Sequence, residues 1–579
     1  MRRFPVLLVP VWLALGVCWL IPFLVAPHTY PIPTFYSELA TAVCWIVFAV
    51  AVLGTTWNRA IGLPSVALAP LALIVVLIIQ LAITPPLNPF FSFGAIVTLL
   101  GATVICGLGL RCREMPGVQA AIAVAVIVGG LLTVVIELLQ LFRVPNLPSN
   151  FFSMAPMGIG RRMWGNLNQP NHVGTYLAFG LAGCIFLAYR HRKWLLPLVV
   201  VMLALLLGMA LTFSRMTWIH VAVVGLLAGI PLAAEVRNRT WPFRLLVFVV
   251  PLLLLTVAYQ GWNWLIAVVN GMWTFDLPGS MGERLQEGAG LRPLLWNHAW
   301  HIFLAHPWLG GGWGDYAWNQ YVQTDTLGPV EMSMNAHNIV LDQLAKVGLL
   351  GLLAVLAPLV WWAFHLRSRL RQPDSVFLCA VVSVTIVHSL LEYPLHYVYF
   401  LFPFAFALGY LDAKTLRLPS GSIAWVLSGV IVVCGASLVA RLWVDYRVVE
   451  RLYFTQDGVA KELARYQASG QMLLVPYATL VMAMNASIDR EIAPVMAALE
   501  RQAVQFYPGP ATVQRYALTL ALQGKNDEAV IQARRLRNQY WTSYPAQSTV
   551  LTQACAKKTD DLKVFCHRLK SENLLVGVD

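Results

Sequence analysis

Charge is what this sequence has least of. Only 12% of its 579 residues are Asp, Glu, Lys or Arg, against 58% hydrophobic residues. A chain so poor in charge is not an ordinary soluble globule. Acids are the scarcer sign, 27 against 40 basic residues, which leaves a formal net charge of +13. Paired carboxylates of the DxD kind and clustered His/Cys/Asp spacings of the zinc type are also missing from the segments assigned outward below, so no metal and no cofactor is expected. Nine cysteines are present, seven of them in or beside apolar runs, where a free cysteine reads as a small buried hydrophobe. Cys555 and Cys566 lie clear of those runs. In an oxidising compartment they form a candidate disulfide, although sequence supplies no geometry for it. The first apolar run lacks a small-residue cleavage site and reads as a retained span rather than a signal peptide.

Long apolar runs are abundant. They recur at about the ~20 residues needed to cross a bilayer, over 6–25, 38–54, 64–83, 93–110, 118–142, 172–189, 194–213, 216–234, 242–265, 338–364, 375–391, 397–411 and 423–441. The expected fold is therefore all-α, a polytopic membrane protein of about 13 transmembrane helices. With the N-terminus cytoplasmic, the cytoplasmic turns hold Arg2, Arg3, Arg59, Arg111, Arg113, Arg190, Arg192, Lys193, Arg237, Arg239, Arg244, Arg367, Arg369, Arg371, Lys414 and Arg417. Only Glu114, Glu235, Asp374 and Asp412 oppose them, so the turns carry +12 of the formal +13. The basic balance is thus a topology signal and not a nucleic-acid footprint.

An odd number of spans places 143–171, 266–337 and 442–579 on the outward side. This divides the chain into a transmembrane domain, 1–441, carrying a long loop at 266–337, and a C-terminal domain, 442–579. The tail turns charged and helix-forming after Tyr446. Tyr507-Pro508 and Tyr544-Pro545 are offset by 37 residues, near the ~34-residue period of tetratricopeptide helix pairs.

Polar chemistry gathers at the outward ends of the apolar runs. In "SMNAHNIVLDQLAKVGLLG", His337 stands at the N-terminal end of a helix, whose dipole disfavours imidazolium and keeps a neutral ring able to accept a proton. Asn338, Asp342 and Lys346 follow at i,i+4 steps on one face. The last two are either an intramembrane functional pair or an ion pair that holds the helix. Arg215 in "LTFSRMTWIH" sits in a tight outward turn and Arg292 in the long loop. Two guanidinium forks suit a lipid diphosphate, and headgroup snorkelling is the plainer reading of either alone.

"RRMWGNLNQPNHVG" crowds Asn166, Asn168, Gln169, Asn171 and His172 at the outer surface, as sugar-binding amides or as an Asn-Pro turn. "HSLLEYPLHYVY" adds Glu392, Tyr393 and His396 in another outward turn. The loop's Trp296, Trp300, Trp308, Trp313, Tyr316, Trp318 and Tyr321 form an interface belt or sugar-stacking surface. "GGGWG" reads as a flexible turn, and Asp315 and Glu283 as scattered solvated or structural acids.

Together these pieces resemble the Wzy/O-antigen-ligase superfamily of bacterial glycan-transferring membrane enzymes over about residues 1–440. His337-Asn338-x9-Gly348-x2-Gly351 looks like its ligase motif, "RPLLWNHAWHIFLAHPWLGGGWGDY" like its outward loop with Arg292 at the motif arginine, and "SRMTW" places Arg215 at a second family arginine. "WGNLNQPNH" resembles protein O-oligosaccharyltransferases of the PglL type, with Gln169 and Tyr393 at positions thought functional there.

The resemblance implies inverting transfer of a glycan from an undecaprenyl-diphosphate carrier, at the outer face of the inner membrane, to Ser or Thr of a pilin or other periplasmic protein. No metal takes part. His337 is the expected general base, Arg215 and Arg292 hold the diphosphate, and Asn166, Gln169, Asn171, His172, Asn338 and Tyr393 contact glycan or acceptor. Implied partners are the lipid-linked glycan, the acceptor protein and membrane lipids, with no nucleic acid. A ligase or polymerase acting on lipid A core or on another glycan is the competing enzyme. A lipid-linked-oligosaccharide transporter is the competing class, disfavoured because the polar residues gather at one face rather than at the bilayer midplane.

Overall fold

The computed structural model describes residues 8–55, 62–273, 275–279, 290–367, 373–416, 421–454, 473–486 and 488–576. Arg2, Arg3, Arg59, Arg369, Arg371, Arg417 and Glu283 of the charge pattern lie outside them. The chain is an all-α polytopic membrane protein. A spanning segment must satisfy its own backbone hydrogen bonds, which a helix does internally. The strand content among the described residues is one two-residue ladder, Leu63–Pro64 against Thr415–Leu416.

The apolar helices are α1 (Val9–Leu20), α2 (Phe35–Thr55), α3 (Leu68–Ile83), α4 (Pro89–Cys112), α5 (Val118–Leu141), α6 (Pro170–Arg190), α7 (Leu195–Leu211), α8 (Met216–Glu235) and α9 (Trp241–Met272). After the loop helices α10 (Arg292–Ala305) and α11 (Tyr316–Leu327) come α12 (Ile339–Leu366), α13 (Pro373–Ser389), α14 (Val398–Leu411) and α15 (Gly421–Phe454). Among the described residues ten helices are long and apolar enough to cross a membrane, and three more apolar helices are shorter, at Val9–Phe23, Asp374–Ser389 and Val398–Leu411. α9 buries none of its most apolar stretch, as expected of a face turned to lipid.

The chain forms two compact units. The first comprises 1–71, 98–288 and 355–439. Its core is an aromatic pile that includes Trp19, Phe23, Trp45, Phe48, Tyr176, Phe179, Phe400 and Phe406, with Phe23 and Tyr176 stacked 4.1 Å apart. Small residues let its helices close up. A Cβ on Gly109 would stand 2.3 Å from the Phe406 carbonyl oxygen, and one on Gly409 would stand 2.0 Å from that of Cys106, so α4 and α14 touch backbone to backbone.

The second unit comprises 72–97, 289–354 and 440–579. Its C-terminal part contains α16 (Val475–Asn485), α17 (Ala493–Phe506), α18 (Pro510–Leu522), α19 (Asn526–Gln539), α20 (Tyr544–Gln547), α21 (Thr549–Ala556) and α22 (Lys563–Ser571). Successive helices pack through short turns, as at Gly524 (φ 79°) between α18 and α19. Val504, Val513, Ala517, Ala533 and Leu536 are among the residues filling their core. Cys555 and Cys566 are joined by a disulfide between α21 and α22.

Candidate active site

Each unit builds one polar constellation at helix ends. In the first, Gln169 is the N-cap of α6, its Oε1 accepting the His172 backbone N–H at 2.9 Å, with Pro170 at the first helical position. Asn168 before it adopts a left-handed φ of 54°. This turn aims two amides at one carboxylate. Gln169 Nε2 donates to Glu392 Oε2 at 2.9 Å, and Asn171 Nδ2 donates to Glu392 Oε1. His388, one helical turn before Glu392, brings Nε2 within 3.3 Å of Oε2, while its Nδ1 meets Thr175 Oγ1 at 2.8 Å. On its other side Asn171 Oδ1 accepts from Arg162 Nη2 at 3.2 Å and from Ser214 Oγ at 2.6 Å. Ser214 immediately precedes Arg215, the half-buried N-cap of α8. A buried Glu392, 7% exposed, thus ties together the 162–171 segment, the Arg215 turn and the turn that carries Tyr393.

The candidate residues differ in what their atoms already do. Both ends of the Asn166 amide are engaged by backbone: Nδ2 donates to Leu24 O and Phe151 O, and Oδ1 accepts from Ser153 N. These bonds use both of its N–H groups and tie Asn166 to the backbone at Leu24 and at 151–153. His172 is buried, its Nδ1 3.1 Å from the Tyr399 hydroxyl. Tyr393 is half-buried with its ring 5.9 Å from Tyr397.

Sequence spacing showed no metal-type cluster, yet ligand atoms of His172, His388 and Glu392 lie within 4.8 Å of one another. The two imidazoles and a carboxylate fit a borderline cation. The same atoms also close a hydrogen-bond network in which the carboxylate accepts from two amides.

The second constellation surrounds His337. The residue is half-buried and held at a left-handed φ of 54°, a conformation that persists in a non-glycine residue only when its surroundings enforce it. Here the enforcing groups are identifiable. Asn338 Oδ1 accepts from Val340 N at 3.0 Å and Leu341 N at 3.2 Å, capping α12. Asp342 Oδ1 accepts from Ala336 N at 2.8 Å. Lys346 Nζ pairs with Asp342 at 3.0 Å and donates to Asn335 Oδ1 at 2.5 Å. The Asp342–Lys346 pair therefore grips the two residues that precede His337. Arg292 is the first residue of α10 and is half-buried.

Gly348 breaks α12 with φ 65° and ψ −164°, and "GGGWG" splints the break instead of forming a loose turn. Gly311 N donates to Ala345 O at 2.8 Å, and Leu349 N donates to Pro307 O at 2.8 Å. Gln80 Nε2 donates to Lys346 O at 2.8 Å. The loop aromatics divide by position. Trp313 and Tyr316 each have Lys346 Nζ 5.7 Å from the ring centroid, Tyr321 enters the C-terminal core, and Trp300 and Trp308 are exposed. Asp315 is structural, accepting from Leu87 N and from the backbone and side chain of Asn88. Burial pushes its carboxyl up against the opposing pull of those hydrogen bonds.

Missing from the sequence-derived site were Glu392 as a hub, His388, Arg162 and Ser214. The i,i+4 spacing of His388 and Glu392 at a helix end was the available signal for the first two.

The fold defines a polytopic membrane protein with two polar constellations at helix ends, and comparison with known proteins points to glycan transfer. An O-Antigen ligase family model matches residues 200–356, which include Arg215, Arg292, His337, Gly348 and Gly351. A model described as virulence factor membrane-bound polymerase, C-terminal, matches 376–554, including Glu392 and Tyr393. Over these stretches the chain is similar to the glycosyltransferases of the Wzy/O-antigen-ligase superfamily.

Two relatives from Acinetobacter baylyi are more particular. The chain is 26% identical over 481 residues to a General O-oligosaccharyltransferase, covering 77% of each. It is 27% identical over 276 residues to a ComP-specific O-oligosaccharyltransferase, covering 46% of this chain and 47% of that one.

Proposed function

We propose that this chain is an O-oligosaccharyltransferase that moves a preassembled glycan from undecaprenyl diphosphate to Ser or Thr hydroxyls of a pilin or other exported protein. The reaction occurs at the periplasmic face of the bacterial inner membrane. The three shorter apolar helices complete thirteen crossings, the N-terminus is cytoplasmic, and the C-terminal helices form a periplasmic tetratricopeptide-like domain. The observation that carries the reading is His337, held in a left-handed conformation at the start of α12 by Asn338, Asp342 and Lys346.

Chemically, the acceptor oxygen attacks the anomeric carbon from the face opposite the diphosphate. The C–O bond to phosphate breaks as the new glycosidic bond forms, which inverts the centre. The bonding electron pair leaves on the diphosphate and the hydroxyl proton passes to neutral His337, a step worth typically ~10²–10⁴ in rate. The departing charge is met by Arg215, N-cap of α8, and Arg292, first residue of α10. Each joins a guanidinium to the positive end of a helix. Glu392 holds Gln169 and Asn171 by one amide N–H each, leaving the second N–H of each for the glycan or acceptor, and no metal is required. The O-Antigen ligase match over the Arg215–His337 stretch favours a glycan or lipid A core acceptor as the second reading.

The test is reconstitution with lipid-linked glycan and acceptor protein. His337→Ala is expected to lose transfer while retaining donor binding, and full transfer by that variant would remove His337 from the mechanism.

A further inference from the structure

The loop that delivers His337 is built into the C-terminal domain. In α11, Tyr321 is fully buried among Val504, Val513, Ala517 and Leu536 of that domain, and its hydroxyl donates to Gln532 Oε1 at 2.7 Å. The Arg535 guanidinium lies 5.3 Å over the Tyr321 ring and grips Asp325, Nε at 3.0 Å from both oxygens and Nη2 at 2.5 Å from Oδ2. The chain leaving α11 then runs along the end of α19. Val330 N donates to Asn538 O at 3.0 Å, Met332 N to Gln539 O at 3.2 Å, and Asn538 Nδ2 to Thr324 O at 3.2 Å. Ser333 N, four residues before His337, donates to Gln320 Oε1 at 3.0 Å. From there Asn335 and Ala336 are taken by Lys346 and Asp342. His337 is thus suspended between two anchors, the start of α12 and the edge of α19.

We propose that the C-terminal domain is a positioning element for the His337 base, acting through the Asp325–Arg535 pair and the backbone bonds of 330–332 to α19. This rests on the reading of His337 as general base. Asp325 and Arg535 touch no substrate and act by fixing the approach of the 328–336 segment. A shift of about 1 Å in a reacting group can cost ~10²-fold in rate, so a loosened clamp lowers kcat and leaves the KM for lipid-linked glycan unchanged.

The experiment uses the full chain in proteoliposomes with lipid-linked glycan and acceptor protein. It compares Asp325→Arg, Arg535→Asp, the double exchange, and Glu572→Arg. The last breaks the Arg534–Glu572 pair at 2.6 Å elsewhere on α19. Each single change at the clamp is expected to reduce kcat by about ten-fold or more, within the range a small misplacement costs, with donor KM unchanged. The double exchange restores the rate, and Glu572→Arg leaves it at the parent level. Unchanged kcat in the single variants overturns the proposal. An equal loss in Glu572→Arg, or a rise in donor KM that accounts for the loss, also overturns it, since either means a general structural role. His337→Ala run in parallel separates the two ideas. If it is inactive while Asp325→Arg is fully active, only the clamp is wrong; if it is active, the base assignment itself is wrong.

Discussion

Glu392→Gln keeps the shape of the hub and removes one acceptor. The carboxylate now receives Asn171 Nδ2 on one oxygen and Gln169 Nε2, with His388 Nε2 nearby, on the other. A glutamine oxygen can serve one side only, and the side with two partners is favoured. Its amide nitrogen then faces the Asn171 amide, donor against donor. Asn171 cannot turn over to relieve the clash, because its Oδ1 already accepts from Arg162 at 3.2 Å and Ser214 at 2.6 Å. Leaving one buried donor unmet costs about 1–3 kcal/mol, which corresponds to a rate loss between about 5-fold and 150-fold when it falls on the transition state. The assay is initial transfer rate in proteoliposomes at saturating lipid-linked glycan, normalised to folded protein by thermal melting. A transfer rate and melting temperature both equal to the parent's would refute the hub.

Gly348→Ala would put a Cβ 2.4 Å from the Trp308 carbonyl carbon at a φ of 65°, so a clear fall in melting temperature in detergent is expected, and an unchanged melt would contradict the splinted break. Burial, ahead of the neighbouring His301, lowers His298 to about 4, below its unfolded value of about 6.5. The unfolded chain therefore binds the proton first, and this contribution to stability is present above pH ~6.5 and lost as pH falls toward about 4; His298→Gln should flatten that part of the melting-temperature profile relative to the parent. Chelation before assay should leave transfer intact. Loss that a divalent cation restores would make His172, His388 and Glu392 a metal site and end the metal-independent mechanism.

The membrane character was legible because it is written in run length and in the sign of the turns, both local properties of sequence. The polar motifs were legible as residue types at helix ends. Their partners were not, since Gln169 and Glu392 are 223 positions apart, and a pairing at that range leaves no periodic trace. "GGGWG" misled for a related reason: three glycines read as freedom, whereas Gly310 and Gly348 permit backbone to lie against backbone, with added Cβ atoms meeting Lys346 C at 2.3 Å and Trp308 C at 2.4 Å. Asp342 and Lys346 could be paired from their spacing, but not their grip on Asn335 and Ala336. Helix α11 reads from sequence as part of the loop, and only its packing with α19 reveals it as part of the tail's core.

Mass spectrometry of an exported acceptor protein, co-expressed with this chain and a lipid-linked glycan, tests the central claim most directly. The account predicts the intact glycan on Ser or Thr with the parent chain and none with His337→Ala. Glycan found only on lipid A core or on other glycan, or protein modification that persists without His337, would contradict it.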